Sequence, residues 1–262
     1  MKAISFQLGR SYGSMRKEMI ATGIIVIVVV SIMGVFFFLG TQFIPTQRGF
    51  QFERNVTPTT PKRIFFSISA EDTDLSVSFI DDDDLLYSID ITPHENSTEA
   101  SIIIDTNLES WGIMFATGQQ ESVDITLGNG CFYNLQISGD SYLNTTVVYS
   151  NNAWVNGTSF GYFPHSSQGF DGHLTLRILD DIITDGTTGF IGRVNCDTLN
   201  LEVDVPDQWG GIIDFNDVNV TFTEISGWAE QFGRYKTENS YEDVPLIDLN
   251  IEVEEVIAKL TT

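Results

Sequence analysis

The chain predicts an all-β outer domain, either a sandwich or an irregular β-solenoid, behind one N-terminal transmembrane helix. Beyond residue 63, apolar residues recur at alternate positions, and these runs return about every 8 to 15 residues between Gly, Asn, Asp and Pro. Such spacing is typical of short strands joined by turns. The helix is predicted by residues 20–40, "IATGIIVIVVVSIMGVFFFLG", which are apolar on almost every side.

Residues 20–40 are long enough to cross a bilayer. As a helix, these 21 residues would extend about 31 Å, close to the thickness of the hydrocarbon core. No charged residue occurs between Glu18 and Arg48. The following "GTQFIPTQ" lacks the small-residue pattern of a signal-peptidase site, so we expect an uncleaved anchor.

The basic residues that flank this segment do not set its orientation. Each side carries four within reach, namely Lys2, Arg10, Arg16 and Lys17 before it and Arg48, Arg54, Lys62 and Arg63 after it. Cysteines and Asn-x-Ser/Thr triplets in the larger part favour an outside location for that part. We therefore expect residues 1–19 to form a cytoplasmic tail of a single-pass cell-membrane protein, with the C-terminal domain extracytoplasmic.

Residues 41–63 predict an extended linker because Pro45, Pro58 and Pro61 stand among several threonines. Residues 64–262 then predict one acidic all-β domain, with a break near residues 163–172, "FPHSSQGFDG", if there are two subdomains. The C-terminal tail fits two patterns. Val253, Val256, Ile257 and Leu260 have helical spacing, whereas Leu249, Ile251 and Val253 alternate as in a strand.

Charge excludes two classes of partner for the outer domain. The chain has a formal net charge of −23, and residues 64–262 hold 34 acidic and five basic residues, a net of −29. Nucleic acids and anionic lipid surfaces both require Lys and Arg, so neither is an expected partner. We expect such a surface to attract cations. The alternative interpretation is a general adaptation to a saline exterior.

Cys131 and Cys196 are the two cysteines of the chain. An even count in an oxidising compartment predicts one disulfide. Closing a loop of this length would stabilise the fold by about 4 kcal/mol. Two separate buried thiols are the alternative, because cysteine is often a core residue.

Five Asn-x-Ser/Thr triplets predict glycosylation and weakly support the outside location. They begin at Asn55, Asn96, Asn144, Asn156 and Asn219. Asn219 lies in the strand-like "VNVTFT" and is the one that we least expect to be modified.

Asp81, Asp82, Asp83 and Asp84 form an acidic run between two strand patterns. Carboxylates converging from a loop would suit Ca²⁺, which takes 6 to 8 oxygen ligands. Adjacent residues of an extended chain point to opposite faces, however, so a solvated hairpin turn is the competing interpretation. Apart from this Ca²⁺, the sequence predicts no cofactor.

The segment "GTSFG", residues 157–161, matches the Gly-x-Ser-x-Gly pattern with Ser159 as the nucleophile and His165 or His173 nearby. That pattern requires a strand before the serine and a helix after it, but Pro164 and a Gly/Ser-rich run follow here. Neither a His-Glu-x-x-His spacing nor a phosphate-binding loop occurs. We expect a binding or structural protein that is not an enzyme.

The layout resembles a family of membrane-anchored, adhesin-like surface proteins of bacteria and archaea. The resemblance rests on a short basic tail, one anchor helix and acidic segments such as "LNLEVDVPDQWGGIIDFNDVNVTFTEISGW", residues 199–228. It covers the anchor and residues 64–225, and it implies a β-solenoid outer part. The implied roles are adhesion, envelope structure, or binding of surface proteins or glycans. A pilin-like filament subunit and, third, a surface serine hydrolase are the alternatives.

Overall fold

The structure is a computed structural model that describes residues 46–106, 111–149, 159–164, 170–179, 190–216, 218–241 and 246–262. The predicted tail (residues 1–19), transmembrane helix (20–40) and first part of the linker lie outside these residues, so the anchor stays a prediction. Among the residues described, no helix combines the length and apolarity needed to cross a membrane.

Sixteen strands and one 3₁₀ helix, Glu238–Tyr241, make up the described regular structure. In chain order the strands are β1 (Thr46–Gly49), β2 (Gln51–Asn55), β3 (Arg63–Phe79), β4 (Leu85–Thr92), β5 (Ala100–Asp105), β6 (Trp111–Ala116), β7 (Ser122–Leu127), β8 (Phe132–Tyr149), β9 (Ser159–Pro164), β10 (Phe170–Ile178), β11 (Phe190–Asp204), β12 (Gly210–Asp214), β13 (Asn219–Ile225), β14 (Trp228–Gln231), β15 (Arg234–Thr237) and β16 (Leu246–Thr261).

Four long strands, β3, β8, β11 and β16, run parallel and organise the sheet. Each of them pairs along its first half with one set of short strands and along its second half with another. For example, β3 pairs with β6 through Ile64–Ser69 and with β7 through Asp74–Phe79. The long strands therefore belong to two layers at once.

The first layer runs in the order β1-β5-β6-β3-β8-β9-β11-β16-β12-β15-β14, and the second in the order β2-β4-β7-β3-β8-β10-β11-β16-β13. The long strands turn from one layer to the other at a corner. In β3 this corner is Glu71 and Asp72, two successive exposed residues where the pairing register shifts and Asp72 adopts a φ of 39°. The exposed pair reverses the alternation, so apolar side chains face inward in both layers.

The core lies between the two layers. The Phe79 ring of the second layer packs edge-on against Tyr133 of the first, with ring centroids 6.0 Å apart. The Tyr133 hydroxyl donates a hydrogen bond of 2.6 Å to the carbonyl of Leu86 in β4. Phe52 of β2 contacts Phe115 of β6 in the same edge-on manner. One continuous apolar core therefore holds both layers together.

The predicted all-β domain is confirmed, and the C-terminal tail is a strand, β16. The pairing combines the facing layers of a sandwich with the parallel rungs of a solenoid. The linker prediction differs from the structure, because β1 and β2 within residues 41–63 pair with β5 and β4. Phe52 explains the difference, since its ring is buried in the core. Residues 163–172 do not divide the domain, because residues 45–262 form one unit.

Candidate functional site

Six neighbouring strands of the first layer, β5, β6, β3, β8, β9 and β11, share an outward surface with few charges. Along the first-layer segments of these strands, that surface carries a single carboxylate, Asp105. Asp105 and Arg63 stand at the margin, as does Asp248 of the neighbouring strand β16, which lies opposite Ile191. We call the surface that they border the neutral face, and it comprises Ser101, Ile103, Gly112, Met114, Ala116, Phe65, Ser67, Ser69, Asn134, Gln136, Ser138, Gly161, Phe163, Ile191, Arg193 and Asn195. Arg193 is ion-paired with Glu252 of the neighbouring strand β16. In a chain with a net charge of −23, this is an unusual region.

The strand register aligns these residues in rows across the sheet. One row runs through Ile103, Met114, Ser67, Gln136, Gly161 and Arg193, which belong to six different strands. Neighbouring strands lie about 4.8 Å apart, so such a row spans about 24 Å. Residues that are far apart in the sequence, such as Ile103 and Arg193, thereby share one continuous surface.

Apolar side chains project from this face. Phe65, Met114 and Ile191 are 40%, 43% and 66% exposed, respectively. The Phe163 ring covers Gly161, because a Cβ atom at position 161 would stand 2.2 Å from its ring carbon Cε2. Phe65 and Met114 lie on neighbouring strands, whereas Ile191 lies three strands away from Phe65 in the same row. Several exposed apolar side chains on one face mark an interaction site more often than isolated ones do.

Small residues beside Met114 leave a shallow groove of about 570 Å³ in the neutral face. Four serines, Ile103 and Ala116 line its floor, and Glu71 and Glu99 stand at its corner end. A second depression, of about 610 Å³, shares Glu71 and Gly118 with the groove and is lined by the loop from His94 to Thr98. The groove, with both polar and apolar side chains in its lining, thus continues into a polar depression, a combination suited to a protein or sugar surface.

The outward surface of the second layer, the acidic face, has a different composition. Its central row runs through Gln51, Asp90, Asp124, Ser76, Thr146, Thr175, Glu202 and Lys259. Asp90 and Asp124 are directly opposite each other, a like-charge pair that costs stability. Lys259 offsets part of this charge, since its Nζ lies 3.0 Å from the Glu202 carboxylate, which raises the pKa of the lysine.

Asp81 to Asp84 form a hydrogen-bonded turn. The Asp82 carboxylate accepts hydrogen bonds from the backbone N–H groups of Asp84 and Leu85, at 2.9 and 3.1 Å. Asp81 instead accepts a bond of 2.5 Å from the Asn129 side chain. Within the described residues, no group of three or more His, Cys, Asp or Glu side chains is placed to hold a metal ion. The turn interpretation accounts for these contacts, and the Ca²⁺ interpretation does not.

The predicted disulfide between Cys131 and Cys196 is not formed, and both residues are buried free thiols. Ile137 and Val194 lie in one row across the sheet. Cys131 lies six residues before Ile137, and Cys196 lies two residues after Val194. Eight residues of strand, about 26 Å, therefore separate the two thiols. Burial raises the pKa of Cys131, and burial with the neighbouring Asp197 raises the pKa of Cys196 to about 12.

The glycosylation triplets stay predictions. Asn55, Asn96 and Asn219 are exposed, and Asn144 is half-buried with its amide donating to Asp74 at 2.9 Å. Asn156 lies outside the described residues. None of the four described asparagines belongs to the neutral face.

Ser159 begins strand β9, and that strand continues to Pro164. A nucleophile elbow has a helix after its serine, so the local structure differs from the hydrolase pattern. His165 lies outside the described residues. His173 lies on β10 in the second layer, whereas the first-layer strand β9 contains Ser159.

Sequence reasoning missed the neutral face. A signal for it exists, because residues 63–69, 111–116 and 132–138 contain no Asp or Glu in a strongly acidic chain. That signal becomes meaningful when these segments are known to be neighbours. The three described tryptophans, Trp111, Trp209 and Trp228, are buried.

Comparison with known proteins adds a similarity of fold. A crystal structure described as a "putative cell adhesion protein", from Clostridium sporogenes ATCC 15579, superposes with a TM-score of 0.50 and 11% sequence identity. The alignment covers 82% of this chain and 100% of that chain. At this identity, the similarity establishes the fold alone. The sequence matches no protein-family model, and no curated protein matches it.

Proposed function

We propose that this protein is a membrane-anchored surface protein whose outer β domain acts in adhesion, with the neutral face as its binding surface. Residues 20–40 would hold the chain in the membrane, and residues 46–262 would face the exterior. The domain would act by binding and not by catalysis. The observation that carries this proposal is a six-strand surface with one marginal carboxylate, bearing exposed Phe65, Met114 and Ile191, in a chain of net charge −23.

Electrostatics supports the choice of this face. A partner that approaches elsewhere meets dense negative charge, which repels other acidic surfaces within a Debye length of about 8 to 10 Å at moderate ionic strength. The neutral face presents hydroxyl, amide and apolar groups instead. Its centre can therefore lose its water against a neutral protein or glycan surface without burying an unpaired carboxylate.

The similar fold of a protein described as a "putative cell adhesion protein" is consistent with this role, although the fold by itself assigns no function. The predicted anchor supports it independently, because a domain held at the membrane surface gains avidity from its neighbours. Many weak contacts between two surfaces can then exceed the affinity of a single one.

The location can be tested with protease added to intact cells that express the full chain. We expect the outer domain to be removed while a short fragment with residues 1–40 stays in the membrane fraction. Full protection in intact cells, with digestion after lysis, would contradict the proposed location.

Adhesion can be tested by mixing cells that express the full chain with cells of the same strain, both labelled. We expect mixed or self clusters that disappear in the Ile191→Glu variant. Ile257→Glu is the matched control, because Ile257 is 43% exposed on the acidic face. No clustering of any kind, or equal loss in both variants at equal surface amounts, would contradict the proposed function.

A further inference from the structure

We propose that the partner of the neutral face is a second copy of this chain, so that two outer domains on facing surfaces meet neutral face to neutral face. This inference rests on the proposed function and specifies its partner. Three properties of the face support it, namely its charge, its area and its pattern of projecting and recessed side chains.

Charge restricts where two identical copies can touch. Residues 64–262 have a net charge of −29, so most contacts between copies place carboxylates opposite carboxylates. Juxtaposed like charges oppose association strongly. The neutral face is the exception, because Arg193 is already paired with Glu252. The carboxylates beside this face, Asp105, Glu71, Glu99 and Asp248, all lie at its margin. Two copies that meet through it keep their acidic faces pointing away from each other.

The area of the face suits a weak, reversible contact. Six strands at spacings of about 4.8 Å, with five to six residues each at about 3.3 Å, give a patch of about 500 Å². Two such patches bury about 1,000 Å² in total, the lower limit for a specific interface. We therefore expect a dissociation constant on the order of micromolar, strengthened at a membrane by multivalency.

The projecting and recessed side chains of the neutral face allow two copies of it to fit together. A twofold axis makes each copy present the same patch, so that projections of one must meet depressions of the other. Phe65, Met114 and Ile191 are large and exposed, whereas the smaller Ser67 and Ala116 line the groove of about 570 Å³ beside Met114. Two β-sheet faces commonly pack in this way at a distance of about 10 Å.

The first experiment is sedimentation equilibrium of the full chain in detergent, comparing wild type, Ile191→Glu and Ile257→Glu. The N-terminal segment is the same in all three, so differences among them report on the two faces. We expect Ile191→Glu to raise the dimer dissociation constant at least about tenfold, because twofold symmetry buries two carboxylates per dimer. Ile257→Glu should leave the constant within about twofold of wild type, since substitutions at exposed sites away from an interface usually have small effects.

Salt gives an independent readout. Raising NaCl from about 0.01 M to about 1 M shortens the Debye length from about 30 Å to about 3 Å. Association through the neutral face should become tighter, because only the repulsion between the acidic bodies is screened. Weaker association at high salt would overturn the proposal, and so would identical behaviour of the two isoleucine variants.

The second experiment separates this inference from the proposed function. Cells that express the full chain are mixed with cells that lack it, using two labels. Clusters restricted to expressing cells support a second copy as the partner. Expressing cells that bind non-expressing cells equally well would overturn it while leaving an adhesive function in place. Absence of all clustering would overturn both.

Discussion

The neutral face and the acidic face of this domain share three long strands, β3, β8 and β11, yet they differ in chemistry. On the first layer, Ser67 of β3 stands between Met114 and Gln136. On the second layer, Ser76 of the same strand stands between Asp124 and Thr146. The inward faces are alike, since both are closely packed and apolar. The difference shows that the acidic character of the chain belongs to particular surfaces, which leaves one surface with carboxylates only at its margin.

The largest predicted effects test whether the two layers contribute equally to the core. Phe66 of the first layer and Phe79 of the second are both fully buried. We expect Phe66→Ala and Phe79→Ala each to lower the free energy of unfolding by about 3 to 5 kcal/mol. Denaturant unfolding of the full chain in detergent measures both. A loss confined to one variant would mean that the layers unfold separately.

Two glycines should differ in how well they tolerate an added methyl group, because one faces the core and the other belongs to the neutral face. A Cβ at Gly172 would lie 2.8 Å from the Tyr162 ring and 3.3 Å from the Cys196 sulfur, inside the core. We expect Gly172→Ala to cost about 1 to 3 kcal/mol because these groups have no room to move.

Gly161→Ala provides the comparison on the neutral face. Its Cβ would meet the Phe163 ring at 2.2 Å, but this half-buried ring can rotate toward solvent. We expect a cost below about 1 kcal/mol, because the surface side chain can relax. Equal losses of unfolding free energy in Gly161→Ala and Gly172→Ala would contradict this distinction.

Alkaline pH should destabilise the domain through its buried thiols. Burial raises the pKa of Cys196 from its ordinary value of 9.0 to about 12. Between these values the folded thiol keeps its proton and the unfolded thiol loses it, so the stabilisation is complete below pH 9 and falls as the pH rises toward 12. The expected loss is on the order of 1 to 3 kcal/mol over this range.

Cys196→Ala provides the control for this pH dependence. Unfolding free energies measured from about pH 8 to about 11.5 should fall less steeply in Cys196→Ala than in wild type. The remaining slope is expected from Tyr133 and Tyr162, whose pKa values burial also raises. An unchanged slope would show that Cys196 ionises equally in both states.

The smallest effect compares the two outer faces directly. Ser76→Lys adds a cation beside Asp124 on the acidic face and should raise the free energy of unfolding by about 0.2 to 1 kcal/mol. Ser67→Lys, on the same strand but on the neutral face, has no carboxylate in either adjacent position and should give no gain. The gain of Ser76→Lys should disappear in about 1 M NaCl. Equal gains in both variants would indicate a uniform field around the domain.

Much of the fold could be predicted from alternation alone. Alternation predicts the runs that form β5, β6, β7 and β10, because their buried residues occupy every second position. The corners were also present in the pattern, as the exposed pair Glu71 and Asp72 shows. The linker was misjudged because prolines and threonines dominate its composition, whereas the single buried ring of Phe52 decides its structure.

The candidate site was far less predictable, for a geometrical reason. Alternation tells which side of a strand a residue occupies, but not which strand lies next to it. The disulfide prediction was wrong for the same reason, since Cys131, directly before β8, and Cys196, on β11, are kept apart by the register of the strands. The Asp81–Asp84 turn was one of the two interpretations open from the sequence, because the hydrogen bonds that form it are mostly local.

The sequence by itself determined that this is an acidic all-β protein with a membrane-length apolar segment, because composition and period-two alternation are local properties. The tertiary structure alone decided that Ser67, Gln136 and Gly161, from three distant parts of the chain, share one surface. Parallel pairing of long strands produces this arrangement, since hydrogen bonds between strands can join any segments of matching length and pattern. The chemistry of each residue was fixed in advance, and its neighbours were not.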